Sequence, residues 1–160
     1  MIGLIFSVLV FNIIAFKYCT KLSKVQILNI WTFTIAFQNI FDLIIEFKFK
    51  GYWYFTQEVD WGGLISHTVL VPSVNMMFLN WYPYHHKKRK QFFYICLWVI
   101  GILVYEGLTL LPEPLGYFHY GWWKLRYSAF VNILLFLLLL QFYKLIKRME
   151  LLDKEKEKNE

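Results

Sequence analysis

The chain has 160 residues, of which 58% are apolar and 21% are aromatic, and its formal net charge is +6 at pH 7. Soluble domains average about 45–50% apolar residues, and a domain of this size cannot enclose a much larger share. The composition therefore excludes an ordinary soluble domain and indicates that lipid is the solvent. Its two cysteines, Cys19 and Cys96, are too few for a disulfide framework or a zinc module.

Five segments are apolar enough to be membrane helices. A helix needs about 20 mainly apolar residues to cross a bilayer core about 30 Å thick. The first segment has no preceding basic residue and no cleavage site after it, which favours an uncleaved anchor over a signal peptide. We predict an all-α fold: a transmembrane bundle of five helices over residues 1–143, then a charged cytoplasmic tail over residues 144–160. The predicted spans are about 2–18, 25–47, 62–82, 91–111 and 125–143.

Two aromatic stretches separate these spans, at residues 48–61 and 116–123. Tyr and Trp are enriched where a membrane meets water, so we expect both stretches to lie at the level of the lipid headgroups. Within the third span, Pro72 predicts a kink, because proline cannot donate a backbone hydrogen bond. The spans and their connections thus predict a bundle with two aromatic loops at one face.

The distribution of basic residues predicts the orientation. Thirteen Lys and Arg residues lie in the first loop, the third loop and the tail, whereas four lie in the other connections. Because cytoplasmic loops carry an excess of Lys and Arg, we expect the N-terminus outside and the C-terminus inside. We interpret the densest cluster as a solvated cytoplasmic turn, with contact to anionic lipid as the alternative. This turn consists of Lys87, Lys88, Arg89 and Lys90.

With that orientation, five ionisable side chains lie in the outer third of the membrane. An ionised side chain at the bilayer centre costs about 2.5–3.5 kcal/mol on insertion scales, so each is expected to have a partner, water or a proton. Carboxylates beside a histidine can relay protons or hold a divalent cation. We therefore treat these residues as a candidate intramembrane polar cluster. They are Asp42, Glu46, His67, Glu106 and Arg126.

A structural role is the simpler interpretation of each of these side chains. Glu106 can tie two helices together if it pairs with a basic residue or a tyrosine of a neighbouring helix. Asp42 and Glu46, which lie late in the second span, can form a hydrated helix end balanced by the two lysines that follow. His67 can be an interior histidine whose hydrogen bonds are satisfied. These alternatives need no ligand.

Other polar and aromatic residues predict contacts between helices or with partners. Because the spans lack a GxxxG motif, Asn75, Asn80 and Asn132 are expected to make hydrogen bonds between helices. Trp122 and Trp123 form a candidate outer contact loop that can stack on a sugar or a quaternary ammonium group. An aromatic belt at the membrane surface is the simpler interpretation of the same two residues.

Several motifs occur in a fixed order in the second half of the chain. They lie at residues 69–72, 81–83, 88–99, 105–106, 121–123 and 132. In that order they resemble a family of small membrane proteins of Bacilli and Clostridia known by a locus-tag name, and the likeness covers about Asp42 to Phe136. The resemblance implies a multi-pass fold in the bacterial cytoplasmic membrane and no particular activity. Many members carry a proline in the last helix, where this chain has the run Leu137–Leu140.

The chain contains no catalytic motif such as GxSxG, HExxH or Walker A. We predict that it is not an enzyme, has no cofactor, holds no metal and binds no nucleic acid. The first hypothesis is a non-enzymatic interaction or structural component of the bacterial cytoplasmic membrane that contacts another membrane protein or a second copy of itself. The alternative is a small carrier of an ion, a proton or a polar solute that uses the outer carboxylates.

Overall fold

A computed structural model describes residues 1–157 of the chain and is 75% helical. The described part contains five helices, one for each predicted span, and this confirms the mainly helical fold. Four of them are long and apolar enough to span a membrane, and the first is a shorter apolar helix of 17 residues. The helices are α1 (Ile2–Tyr18), α2 (Lys24–Lys48), α3 (Trp61–Trp81), α4 (Lys88–Thr109) and α5 (Leu125–Glu157).

Two helix ends differ from the prediction. Helix α4 already begins at Lys88, so most of the predicted basic turn forms its first turn. Helix α5 continues through the predicted tail to Glu157, because Lys, Glu and Leu are good helix formers. Residues 158–160, the rest of the predicted tail, lie outside the described residues.

Two helices contain a π-helical turn. The last six residues of α2, Leu43–Lys48, are π-helical, and so is Ser66–Leu70 within α3. The second turn ends two residues before Pro72, which cannot donate the backbone hydrogen bond that would continue a regular helix. At the kink predicted from Pro72, the structure has a π-helical turn. Such turns frequently occur at functional sites, since they re-aim side chains.

The all-α prediction is wrong in one respect, because the two aromatic stretches pair as a small antiparallel sheet. Strand β1 (Tyr52–Tyr54) pairs with strand β2 (Phe118–Tyr120). Trp53 lies opposite His119, and their rings stack 6.0 Å apart on one face of the sheet. Side chains alternate between faces along a strand, so the flanking residues of both strands turn toward the helices. We call this pair of strands the strand cap, and the end of the bundle that carries it the strand end.

Large side chains pack the helices together. Phe78 of α3 is fully buried, and its ring stacks 4.0 Å from that of Phe136 in α5. Phe33 of α2 stacks on Phe142 of α5 at the same spacing, 4.0 Å. At the end opposite the strand cap, the backbone N–H of Lys21 donates to the Oδ1 of Asn80 over 2.9 Å, which joins the first loop to α3. The core therefore holds the helices together from the strand end to the opposite end.

Candidate functional site

Three ionisable side chains meet inside the strand end. Asp42 and Glu46 project from α2, and His67 projects from α3. One possible ligand atom from each lies within 4.8 Å of the others, and Asp42 Oδ2 lies 3.1 Å from His67 Nδ1. The three residues are almost completely buried, with 1%, 5% and 5% of their surfaces exposed. We call these residues the Asp–Glu–His cluster.

Local structure explains how the cluster forms. Asp42 and Glu46 are four residues apart, so they lie on one face of α2. His67 lies in the π-helical turn of α3, and α3 packs against α2. The strand cap then covers the cluster, because Tyr54 of β1 lies over His67 with ring centroids 4.8 Å apart. Two helices and a strand therefore assemble one buried polar group.

Asp42 has a hydrogen-bond donor on each oxygen. The Tyr52 hydroxyl donates to Oδ1 over 2.5 Å, and the Gln38 amide donates to Oδ2 over 2.9 Å. Burial, and next the negative charge of Asp42, raise the pKa of Tyr52 well above its usual value, so the phenol keeps its proton. The same two causes raise the pKa of Tyr54. The strand cap therefore supplies a permanent donor to the Asp42 carboxylate.

Two buried atoms of the cluster lack a hydrogen-bond partner. Glu46 Oε1 accepts from the Tyr54 backbone N–H over 3.3 Å, whereas Glu46 Oε2 and His67 Nε2 have no partner among the described atoms. Leaving a buried polar atom unsatisfied costs about 1–3 kcal/mol, which makes these two atoms unusual in a packed interior. Carboxylate oxygens and imidazole nitrogens are both atoms to which protons and metal ions bind. They are the part of the cluster most available to a ligand.

The expectation of a hydrated helix end is wrong for Asp42 and Glu46. Both carboxylates are buried, and among the described side chains the one ion pair within 4.0 Å joins Asp42 to His67. Lys48 and Lys50 are exposed and do not pair with them. The strand cap excludes water from this end of α2, and the sequence alone does not indicate that it folds over the helix.

Glu106 of α4 forms a separate polar contact at the same end. Its Oε1 accepts hydrogen bonds from the hydroxyls of Tyr120 and Ser128, each over 2.5 Å. The indole N–H of Trp123 donates to the Ser128 hydroxyl oxygen over 2.8 Å. Glu106 thus ties α4 to strand β2 and to α5, as the structural interpretation with a tyrosine partner describes.

Arg126 does not join these groups. Its side chain is exposed, and its guanidinium donates to the hydroxyl of the neighbouring Tyr127 over 3.1 Å. Of the five predicted cluster residues, three lie together and Glu106 lies nearby, whereas Arg126 lies outside. The difference arises because Arg126 is in the first turn of α5, on the surface of that helix.

A cavity of about 220 Å³ lies beside the two polar groups. Aromatic and aliphatic side chains from α2, α3, α4, α5 and the strand cap form most of its wall. Glu106 lines the cavity, and so do Gln38 and Tyr52, which donate hydrogen bonds to Asp42. The three residues of the Asp–Glu–His cluster do not line the cavity themselves. A small solute there would therefore contact Glu106 and would be separated from Asp42 by Gln38 and Tyr52. The polar lining residues include Gln38, Tyr52, Tyr54, Ser66, Glu106, Ser128 and Asn132.

The remaining predicted residues lie at various places in the bundle. The Asn75 amide of α3 donates to the Thr34 hydroxyl of α2 over 3.0 Å, which is a contact between helices. Asn80 accepts from the first loop, and Asn132 lines the cavity. The four residues of the basic turn are exposed at the end opposite the strand cap. These are Lys87, Lys88, Arg89 and Lys90.

The two tryptophans of the second aromatic stretch have different environments. Trp122 is half exposed, and its indole N–H donates to the Phe49 carbonyl over 2.8 Å. Trp123 is buried, and its ring lies 5.5 Å from that of Tyr52. The prediction that both tryptophans form a contact surface is therefore wrong, because Trp123 packs inside the protein.

Sequence reasoning missed the residues that hold the acidic groups in place. Tyr52, Gln38 and Ser128 each donate to a carboxylate of the site. The density of aromatic residues in the two stretches is the one signal that points to strands, because aromatic residues are enriched in strands. Each strand is only three residues long, so the pattern is too short to predict pairing.

No protein family matches this chain, and no curated protein or solved structure matches it either. The resemblance to small membrane proteins of Bacilli and Clostridia stays a prediction. The features of the chain that bear on function are therefore the Asp–Glu–His cluster, Glu106 and the cavity beside them.

Proposed function

We propose that this chain is an integral protein of the bacterial cytoplasmic membrane, with its N-terminus outside and its C-terminus inside. Four helices of sufficient length support insertion, as do apolar side chains exposed along their surfaces, such as Leu97 and Val104 of α4. The basic turn at Lys88 lies at the end opposite the strand cap, in agreement with the excess of basic residues expected inside. With this orientation the strand cap faces outward.

We further propose that the protein is a small non-enzymatic carrier of an ion, a proton or a polar solute. The observation that carries this proposal is the buried Asp–Glu–His cluster beside a cavity that a further carboxylate, Glu106, lines. Ionisable groups buried in a membrane are costly, and they mark ion and proton pathways in many membrane proteins. The interaction hypothesis uses the outer aromatic loops as its contact surface. Because most aromatic residues of the strand cap face inward, we favour the carrier hypothesis.

The size and lining of the cavity favour a small cation. Its volume of about 220 Å³ lies below the roughly 300–1,000 Å³ of pockets for drug-sized ligands. The Glu106 carboxylate attracts positive charge, and the faces of aromatic rings do so as well. Tyr52, Tyr54 and Phe118 of the strand cap line the cavity, and so does Phe136 of α5.

A flux experiment tests this proposal. The purified chain is reconstituted into proteoliposomes, and the uptake of protons and of monovalent and divalent cations is measured. We expect flux of at least one of these ions, and we expect the Glu106→Gln variant to lose it. Glu113→Gln is the matched control, since Glu113 lies exposed in the loop after α4. Wild-type protein without flux of any tested ion, or unchanged flux in Glu106→Gln, would contradict the proposal.

One observation favours an interaction or structural component as a second candidate. Trp61 is 80% exposed at the strand end, and the half-exposed Trp122 lies at the same end. Exposed tryptophans are frequent at protein contacts. A photo-crosslinking residue at Trp61 should then capture one defined membrane protein or a second copy of the chain. A protein that stays monomeric and uncrosslinked in native membranes would exclude this candidate.

A further inference from the structure

The geometry points to a binding site for a divalent transition-metal ion, of the class of Zn²⁺ or Mn²⁺, formed by Asp42, Glu46 and His67. This inference names the class of ion that the proposed carrier takes, and for the ion's physiological role it rests on that proposed function. The binding of the metal itself is an independent property. The sequence allows a divalent cation among these residues but predicts no metal site, because the three residues become neighbours only when α3 packs on α2 beneath the strand cap.

The set of donor atoms is the first argument. An imidazole nitrogen with two carboxylates is a ligand set that suits transition metals such as Zn²⁺ and Mn²⁺. Calcium and magnesium prefer sites made of oxygen alone, so the presence of His67 argues against them. No Lys or Arg among the described side chains forms an ion pair with either carboxylate. The cluster therefore offers donors of the right kind without a competing basic side chain.

The spacing is the second argument. Two ligands of one Zn²⁺ ion lie about 3–3.5 Å apart, given metal–ligand distances of about 2.0–2.2 Å. The Oδ2 of Asp42 and the Nδ1 of His67 are already 3.1 Å apart, and the three donors lie within 4.8 Å of one another. Closing this set around an ion requires side-chain movements of about 1–1.5 Å. Such movements need no rearrangement of the helices.

The unsatisfied oxygen of Glu46 is the third argument. Glu46 Oε2 is buried and has no hydrogen-bond partner among the described atoms, although a carboxylate oxygen can bind a metal ion. The other oxygen of Glu46 is held in place, since the backbone N–H of Tyr54 donates to Oε1. This arrangement resembles known metal sites, in which hydrogen bonds to a ligating carboxylate orient it toward the ion.

Charge is the fourth argument. Two ionised carboxylates in a buried group carry two negative charges, and a divalent cation beside a neutral imidazole balances them. Tyr52 and Gln38 donate hydrogen bonds to Asp42 and satisfy the lone pairs that the ion leaves free. Three protein ligands also leave a coordination position open, whereas structural zinc sites are closed by four protein ligands. An open position suits an ion that enters and leaves.

Equilibrium binding tests the inference. The full chain is purified in lipid nanodiscs, freed of metal with a chelator and titrated calorimetrically with Zn²⁺, Mn²⁺ or Mg²⁺. We expect one ion per chain, with an affinity order of Zn²⁺ above Mn²⁺ above Mg²⁺. His67→Gln and Glu46→Gln should each weaken Zn²⁺ binding at least tenfold. His119→Gln is the matched control, because His119 is exposed on the outer face of β2 and should leave the affinity unchanged.

A second measurement guards against variants that fail to fold. X-ray absorption of the Zn²⁺-loaded wild-type protein should show imidazole and carboxylate ligands at about 2.0–2.2 Å. Failure of wild-type protein to bind any of the ions, absence of an imidazole ligand, or unchanged affinity in folded His67→Gln and Glu46→Gln would overturn the site. Metal binding without ion flux would support the site and end the carrier proposal. Proton flux without metal binding would support the carrier proposal and overturn the metal site.

Discussion

The hydroxyl of Tyr52 lies 2.5 Å from Oδ1 of Asp42, so a residue of strand β1 donates directly to the buried carboxylate of α2. The same strand places Tyr54 over His67 and its backbone N–H on Glu46. The strand cap and the Asp–Glu–His cluster are therefore one unit. A substitution in the strand cap is expected to change the stability and the ligand affinity of the cluster.

Removing the Tyr52 hydroxyl tests this coupling. In Tyr52→Phe, Asp42 loses one donor while the ring still packs against its neighbours. Hydrogen bonds to charged groups contribute about 1.5–3 kcal/mol, so we expect the free energy of unfolding to fall by about that amount. We also expect Zn²⁺ affinity to fall about 10- to 100-fold, as it does when outer contacts of a metal site are removed. Calorimetric titration and unfolding in detergent measure the two effects.

Tyr18→Phe provides the control for this variant, because Tyr18 lies exposed at the end of α1. It should change neither stability nor affinity. If Tyr52→Phe behaves like Tyr18→Phe in both measurements, the strand cap and the cluster are independent.

Gly121 joins the two loops of the strand cap. Its N–H donates to the Gly51 carbonyl over 2.8 Å, and a methyl group added at Gly121 would collide with the carbonyl oxygen of Lys50. We therefore expect Gly121→Ala to lower the free energy of unfolding by about 1–3 kcal/mol, which is typical of overpacking. Gly101→Ala is the matched control, since an added methyl group there meets no atom of residues 1–157 within 4 Å. Equal stability of the two variants would show that the loops do not need this close approach.

The sequence predicts the helices well, because each span is a long apolar run and its ends are marked by charged or aromatic residues. The span predicted at residues 25–47 is the helix Lys24–Lys48, for example. Asp42 and His67 also lie at the same end of the bundle, as their positions along the predicted spans indicate. Helix length and the position of a residue along a helix depend on local sequence, so both can be predicted from it.

The strand cap and the burial of the cluster depend on contacts between distant parts of the chain. Tyr52 pairs with Tyr120, a residue in the other aromatic stretch, and strands of three residues carry too short a pattern to reveal such pairing. Without the strand cap, the end of α2 would be open to water and Glu46 would be hydrated, as the sequence suggests. Arg126 is predicted to join the cluster but lies on the surface of α5. The position of a residue along a helix does not specify which side of the helix it occupies.

Alkaline pH should destabilise the fold. Burial raises the pKa of Tyr52 and Tyr54 above 10.0, and it raises the pKa of the Cys19 thiol from 9.0 to about 11. These acids stay protonated in the folded chain and ionise more readily when it unfolds. Their contribution to stability is therefore complete below the unfolded pKa values and is lost as the pH rises through the folded ones.

Melting temperatures measured in detergent over a pH series test this expectation. They should be constant below about pH 9 and fall progressively above it, with tyrosinate absorbance appearing together with unfolding. In Cys19→Ser, the first part of the fall should be smaller. A wild-type melting temperature that stays constant up to pH 11 would contradict the burial of these groups.

Thiol labelling tests the proposed orientation. In a background in which serine replaces Cys19 and Cys96, Glu58→Cys places a thiol in the exposed loop after β1, and Lys88→Cys places one at the start of α4. A membrane-impermeant maleimide should label the first variant in intact cells and the second only after lysis. Labelling of Lys88→Cys from outside would reverse the orientation.

The most direct test of the central claim, that the buried acidic cluster binds a cation, is ligand-dependent thermal stability in lipid nanodiscs. Protons, monovalent cations and divalent cations are compared on wild-type protein and on the double variant Asp42→Asn, Glu46→Gln. A cation present at 100 times its Kd contributes about 2.7 kcal/mol, which corresponds to a rise of about 5–10 °C in melting temperature. We predict such a rise for at least one cation with the wild-type protein and none with the double variant. Absence of any rise, or an equal rise in both proteins, would contradict the account.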